Sequence, residues 1–189
     1  SQVMLAHRVT IYTRRGPVPG VIGSKPPHLL SQEERNKVVK HQDMYIDIGA
    51  SSRQEAEEFG VRPGDPVVPY ARFERLANPN LLLSKAWDDR VGCAVVLEVV
   101  RRLSQVEHPN TVYGVGTVQE EVGLRGAQTS AQIIEPEVAF ALESAIAGDT
   151  PGIKPEECRT KLGKGPVILL YDRSLVAHTR LRDLVVDVA

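Results

Sequence analysis

Residues 112–127, V-Y-G-V-G-T-V-Q-E-E-V-G-L-R-G-A, constrain the fold more than any other stretch. Residues 112–118 have the length and β-branched content of a buried strand, and the run breaks abruptly into Glu120 and Glu121, followed by Gly123 and Gly126. Two carboxylates at the mouth of a buried strand are costly. Each must shift its pKa, find a cation or hold a metal. A Glu-Glu pair also sits readily in a solvated surface turn, because glutamate usually stays exposed. What weighs against the surface turn is the recurrence of acids at similar places.

Asp88 and Asp89 precede residues 91–103, whose composition suits a helix with Arg101 and Arg102 near its end, where cations complement the helix dipole. Either aspartate can simply cap that helix. A second helix is expected over residues 124–133, and the apolar strand-like run 138–142 ends in Glu143. Two strands ending in acids and a helix opened by an acidic pair predict an α/β sheet that gathers its site at the carboxyl ends of its strands. Converging carboxylates repel, and divalent cations relieve that repulsion. A bound metal acidifies water to make a nucleophile, and a carboxylate outside the coordination shell takes its proton. Adjacent side chains in extended backbone point in different directions, which suits Glu120 and Glu121 to separate roles.

The first third reads as short strands and turns. Residues 9–13 form a strand punctuated by residues 16–20, Val21 and Ile22 lead to the Pro26-Pro27 loop, and residues 43–48 alternate polar and apolar. Ser52-Arg53-Gln54-Glu55 is a capping-box pattern that opens a short helix ended by Gly60. Pro63-Gly64-Asp65-Pro66 turns the chain into another strand, and a composition shift places a domain boundary near residues 70–76. His7, His28 and His41 lack a ligand pattern around them. Beyond Glu143, residues 148–152 form a turn at the pocket rim and residues 166–171 form a last strand. A final helix opens near His178, which is read as a helix-opening residue.

A chain of 189 residues, 42% hydrophobic and 25% charged, can bury a sizeable core. Its formal net charge of -1 gives no electrostatic reason to expect nucleic acid. No apolar run is long enough to span a bilayer, and residues 1–8 lack the pattern of a secretory signal. Cys93 and Cys158, the only cysteines, read as reduced thiols of a cytoplasmic protein.

Three segments carry a resemblance. Lys85-Ala86-Trp87-Asp88-Asp89-Arg90-Val91-Gly92, Glu120-Glu121-Val122-Gly123-Leu124-Arg125-Gly126-Ala127 and Ala147-Gly148-Asp149-Thr150-Pro151-Gly152 resemble motifs of the glutamyl (deblocking) aminopeptidases, dinuclear metallopeptidases that include the TET aminopeptidases. Residues 20–28 and 46–52 resemble the inserted β domain of that family. The resemblance implies a small, barrel-like inserted β domain over residues 1–70, serving oligomer assembly and access. Residues 71–189 would then be the central part of an α/β catalytic domain with a mixed sheet flanked by helices.

It further implies that Asp88 bridges two metal ions, that Glu121 and Glu143 each ligate one, that Glu120 is the general base and that Asp89 supports or caps. Zinc or cobalt are the expected ions. Glu143 stands where many members have aspartate. The family's two histidine ligands belong to segments before and after this chain, so the chain is expected to be truncated at both ends, and His7 and His178 do not take their roles. Peptides are the implied substrates and a homo-oligomer the implied state. Alternatives are a non-catalytic assembly fragment or another hydrolase such as a glucanase, since glycosidases also use paired carboxylates.

Overall fold

The computed structural model describes residues 3–189. They fall into two compact units, divided between Lys85 and Ala86.

In the first unit, β1 (Arg8–Thr13) and β2 (Gly16–Gly23) make a hairpin. Thr13 fixes the turn: its hydroxyl donates to the Gly16 carbonyl at 2.8 Å and accepts from the Arg15 amide at 3.1 Å. Gly16 adopts φ +121°, where a side chain is strained. The sequence predicts a break over residues 16–20, yet β2 runs unbroken through Pro17 and Pro19. The ladder explains why. The Ile22 amide donates to the His7 carbonyl at 3.0 Å, so bonded pairs recur at every second residue, and Pro17 and Pro19 oppose Tyr12 and Thr10 at the alternate, non-bonded positions. Their nitrogens face the outer side, where the partner strand reaches only Val21, Ile22 and Gly23, and an edge tolerates proline.

α1 (Gln32–Arg35) follows, opened by a reciprocal capping box in which Ser31 and Glu34 each bond the other's amide. β3 (Tyr45–Asp47) then pairs with β2. α2 (Arg53–Glu58) carries only half of the expected box: the Ser52 hydroxyl accepts from the Glu55 amide at 3.1 Å, while the Glu55 carboxylate takes the Ser51 amide at 2.7 Å instead. Gly60 ends α2 with φ +96°, and the Val61 amide reaches back to the Ala56 carbonyl at 3.0 Å. β4 (Val67–Pro69) completes an antiparallel sheet of order β3-β2-β1-β4. Val9 and Ile11, each 3% exposed, and Ile22, at 8%, share one face and make the core. Gly20 admits β3 to that face, since a Cβ there would meet Ile46 Cγ2 at 2.6 Å. A cavity of about 520 Å³ opens on it, lined in part by Ile11, Ile46, Ile48, Ala56 and Val67. β5 (Glu74–Arg75) and β6 (Leu82–Leu83) form a separate antiparallel pair.

The second unit contains α3 (Trp87–Leu103), α4 (Arg125–Ile134) and α5 (Thr179–Val188), matching the three predicted helices. His178 opens α5, its Nδ1 accepting from the Leu181 amide at 3.4 Å. The predicted strands over residues 112–118, 138–142 and 166–171 differ. Among the described residues they carry no ladder beyond one bridge, Tyr171 to Val176, and every named ladder is antiparallel, so the expected mixed sheet is not hydrogen-bonded here. A strand needs a partner, and the side chains of Val112, Tyr113, Val118, Val138, Phe140 and Val167 remain exposed. Residues 112–118 do lie against α3, because a Cβ on Gly114 would meet Val100 Cγ2 at 2.7 Å and Val96 Cγ1 at 2.9 Å. Cys93 and Cys158 are free thiols, as predicted. Among the described residues no helix is long and apolar enough to cross a membrane.

Candidate functional site

The first acids sit where the chain enters α3. Ala86 takes a left-handed conformation (φ 56°), Asp88 (φ -84°, ψ 111°) and Asp89 (φ -120°, ψ 59°) are non-helical, and the peptide between them is cis. The regular turns begin after them. Asp89 Oδ1 accepts the Gly92 amide at 2.8 Å, so Asp89 is the residue that caps the helix. Gly92 is buried, and a Cβ on it would run into the Asp89 carboxylate. Asp88 is thereby left without a capping role.

Glu143 comes to the same place. Its Oε1 accepts the Ser144 amide at 2.8 Å, which favours the charged form. Partial desolvation, the negative charges of Asp88 and Asp89, and a hydrogen bond with the Asp88 side chain outweigh that amide, and the Glu143 carboxyl is held above its ordinary value. Like charges are being forced together.

Glu120 and Glu121 occupy the tight turn between residues 112–118 and α4. The Glu120 carbonyl accepts from the amides of Gly123 at 3.0 Å and Leu124 at 2.9 Å, and Gln119, Gly123 and Leu124 all have positive φ. The Gly126 amide donates to the Val118 carbonyl at 2.9 Å, and a Cβ on Gly126 would collide with Val118 backbone. Both carboxylates are exposed, and neither makes a hydrogen bond or ion pair among the described residues.

Asp88 and Glu143 are therefore brought together, with Asp89 beside them, whereas Glu120 and Glu121 are held on their own turn. Among the described residues no group of three or more His, Cys, Asp or Glu side chains is arranged to hold a metal ion. The residues present fit a divalent cation as part of a donor set: Asp88 and Glu143 offer hard oxygens, and their crowding is what a cation relieves. Two carboxylates are fewer than the four donors that zinc uses. Sequence reasoning missed how the loop beyond Glu143 is fastened. The Gly148 amide donates to the Thr160 carbonyl at 2.8 Å, a contact between backbone groups that no residue pattern announces.

The M42 glutamyl aminopeptidase family matches residues 1–189. The structure superposes with a TM-score of 0.95 on a TET aminopeptidase from the marine sediment archaeon Thaumarchaeota archaeon SCGC AB-539-E09, at 54% identity, covering 100% of this chain and 53% of that one. The Pyrococcus horikoshii TET1 peptidase, which can assemble into a tetrahedron or a large octahedral shell, is 36% identical with a TM-score of 0.82, over 100% of this chain and 55% of that one. The lysyl aminopeptidase of Pyrococcus furiosus is 36% identical over 171 residues, 88% of this chain and 47% of that protein. The chain spans about half the length of the relatives it matches.

Proposed function

The chain belongs to the M42 glutamyl aminopeptidase family, and from that membership and its clustered acids we propose that the whole protein is a metal-dependent aminopeptidase that removes N-terminal residues from peptides. The observation that carries this reading is the approach of Glu143 to the negative charges of Asp88 and Asp89, acids from two separate segments. The fold is α/β and similar to that of the TET aminopeptidases.

The family is one of metallopeptidases, which supports divalent metal ions. We assign Asp88 to both ions and Glu121 and Glu143 to one each, with zinc or cobalt as the metals. When bound, such ions polarise the scissile carbonyl and make water a stronger acid. Glu120 takes the proton of the attacking water and delivers it to the leaving amine. Its side chain is available for that work because the turn is held through its backbone carbonyl, with the carboxylate left out of the turn's bonding. Asp89 ties the first turn of α3 through Gly92 and so steadies the backbone that presents Asp88.

Residues 1–70 are proposed as the inserted, barrel-like β domain, a reading supported by their four-stranded antiparallel sheet, and residues 71–189 as the central part of the catalytic domain. The assemblies of TET relatives support a homo-oligomer. We assign the enzyme to the cytoplasm, on the strength of its two free thiols. The family is named for glutamyl and a member for lysyl substrates, so membership alone leaves the first-residue preference open.

The test is an aminopeptidase assay of the whole protein with and without a chelator. Turnover of aminoacyl substrates that is lost on chelation and returns with zinc or cobalt is expected. Chelator-resistant cleavage of a glucan with no peptidase activity would overturn the reading.

A further inference from the structure

The turn that carries Glu120 and Glu121 is closed by nested contacts. The Gly126 amide donates to the Val118 carbonyl at 2.9 Å, the Arg125 amide to the Gln119 carbonyl at 3.3 Å, and the Gly123 and Leu124 amides to the Glu120 carbonyl at 3.0 and 2.9 Å. The Arg125 guanidinium adds a long bond of 3.5 Å to Gln119 Oε1. Gln119, Gly123 and Leu124 hold φ of 57°, 119° and 56°. Glu120 and Glu121 lie inside this closed loop, and both carboxylates are exposed with no bond of their own among the described residues. The backbone of the loop alone aims them, and the neck sets that backbone.

The neck depends on one residue. Gly126 is buried, and a Cβ on it would stand 2.5 Å from the Val118 nitrogen and nearer still to the Val118 carbonyl oxygen, where ordinary van der Waals contact begins at 3.4 Å. Both obstacles are backbone, so no side chain can swing aside to make room. Val118 ends a run that is backed by α3, since a Cβ on Gly114 would meet Val100 Cγ2 at 2.7 Å. A side chain at 126 therefore lifts the start of α4 from Val118 by about 1 Å and carries the loop between them with it.

Resting on the aminopeptidase reading, we propose that Gly126 is the positioning residue of the acid turn, holding the Glu120 base and the Glu121 ligand in place together by closing α4 onto Val118. It touches neither substrate nor metal ion. Because the two acids share one loop, they are displaced together. A misplacement of about 1 Å costs about 100-fold in turnover, and loss of the groups that orient a ligand costs about 10- to 100-fold in metal affinity. Asp88 and Glu143 stand on other segments, so the second ion keeps its ligands.

The experiment compares Gly126→Ala and Gln119→Gly with the wild type in the whole protein, by zinc titration of the metal-free form and by kcat and KM for leucine p-nitroanilide. Gln119→Gly is the milder change, because glycine accepts φ 57° freely and only the bond from Arg125 is lost. Gly126→Ala is expected to bind one of two zinc ions at least about tenfold more weakly and the other as the wild type does, with kcat about 100-fold lower and KM nearly unchanged. Saturating zinc is expected to refill the weakened ion and leave kcat low, since the base stays displaced. Gln119→Gly is expected to show a smaller loss of both. General loosening of the fold would instead weaken both ions together. That result, full recovery of kcat at saturating zinc, or wild-type zinc affinity and kcat in Gly126→Ala overturns the positioning role and leaves the peptidase reading standing. Where Gly126→Ala does not fold, wild-type zinc affinity in Gln119→Gly overturns it. A wild type without zinc-dependent turnover overturns both.

Discussion

The Glu143 carboxyl lies within reach of the negative charges of Asp88 and Asp89, so the end of one segment and the start of α3 meet through their acids. Asp89 is turned the other way, to the Gly92 amide, and this division leaves Asp88 and Glu143 to face each other. Glu143→Gln keeps the hydrogen-bonding shape and removes a charged oxygen donor. In the whole protein, elemental analysis is expected to find about one divalent ion fewer per chain than in the wild type. Unchanged metal content would remove Glu143 from the ligand set.

The 189 residues alone are expected to be a poor enzyme. Their second unit leaves Val112, Val118, Phe140 and Val167 exposed, and no three metal-binding side chains come together among the described residues. Loss of supporting groups around a metal typically costs 10- to 100-fold in affinity or activity, so metal-dependent turnover at least about tenfold below that of the whole protein is predicted. Equal turnover in a side-by-side assay would mean that this chain completes the site by itself.

The first unit, by contrast, has a core of its own. Ile11 is 3% exposed and sits beside Val9 at the centre of the sheet. Ile11→Ala is predicted to destabilise it by about 2–5 kcal/mol, the usual range for emptying a buried isoleucine site. Thermal or urea unfolding of the chain, followed through the first unit, measures this directly. A loss below about 1 kcal/mol would show that the face is not packed as described.

Asp172 gives a pH-dependent handle. The amides of Ser174 and Leu175, at 2.6 and 2.7 Å, and the Ser174 hydroxyl hold its carboxyl below the ordinary value of 3.8. A depressed folded pKa contributes stability that is present above the unfolded value and lost as pH falls through the folded one. The turn over residues 172–175 is thus predicted to persist at pH 5 and to loosen below 3.8. The carboxyl carbon shift of Asp172, followed by NMR, should titrate below that value, and Asp172→Ala should loosen the turn already at neutral pH.

The three helices were legible because caps and apolar periodicity are local signals. Ser52 marked α2 correctly, but which amide the Glu55 carboxylate takes depended on a serine one place earlier. Pro17 and Pro19 misled because a proline is read as a break until the ladder reveals that its nitrogen faces an open edge. The acids at 88, 89 and 143 could be collected from expected strand ends and a helix start, but the run before Glu143 carries no ladder, so its strand was not legible in this way. The strand partners of residues 112–118 are not local information, and neither is the fastening of Gly148 to Thr160, which uses backbone groups that every sequence possesses.

The most direct measurement compares Glu120→Gln with Glu121→Gln in the whole protein, reading metal content and kcat together. Removing the proton acceptor is expected to leave the full metal complement and lower kcat by about 10²- to 10⁴-fold, the range supplied by general acid-base groups. Removing the ligand is expected to deplete one ion. A Glu120→Gln protein short of metal beside a fully loaded Glu121→Gln protein would contradict the account and exchange the two roles.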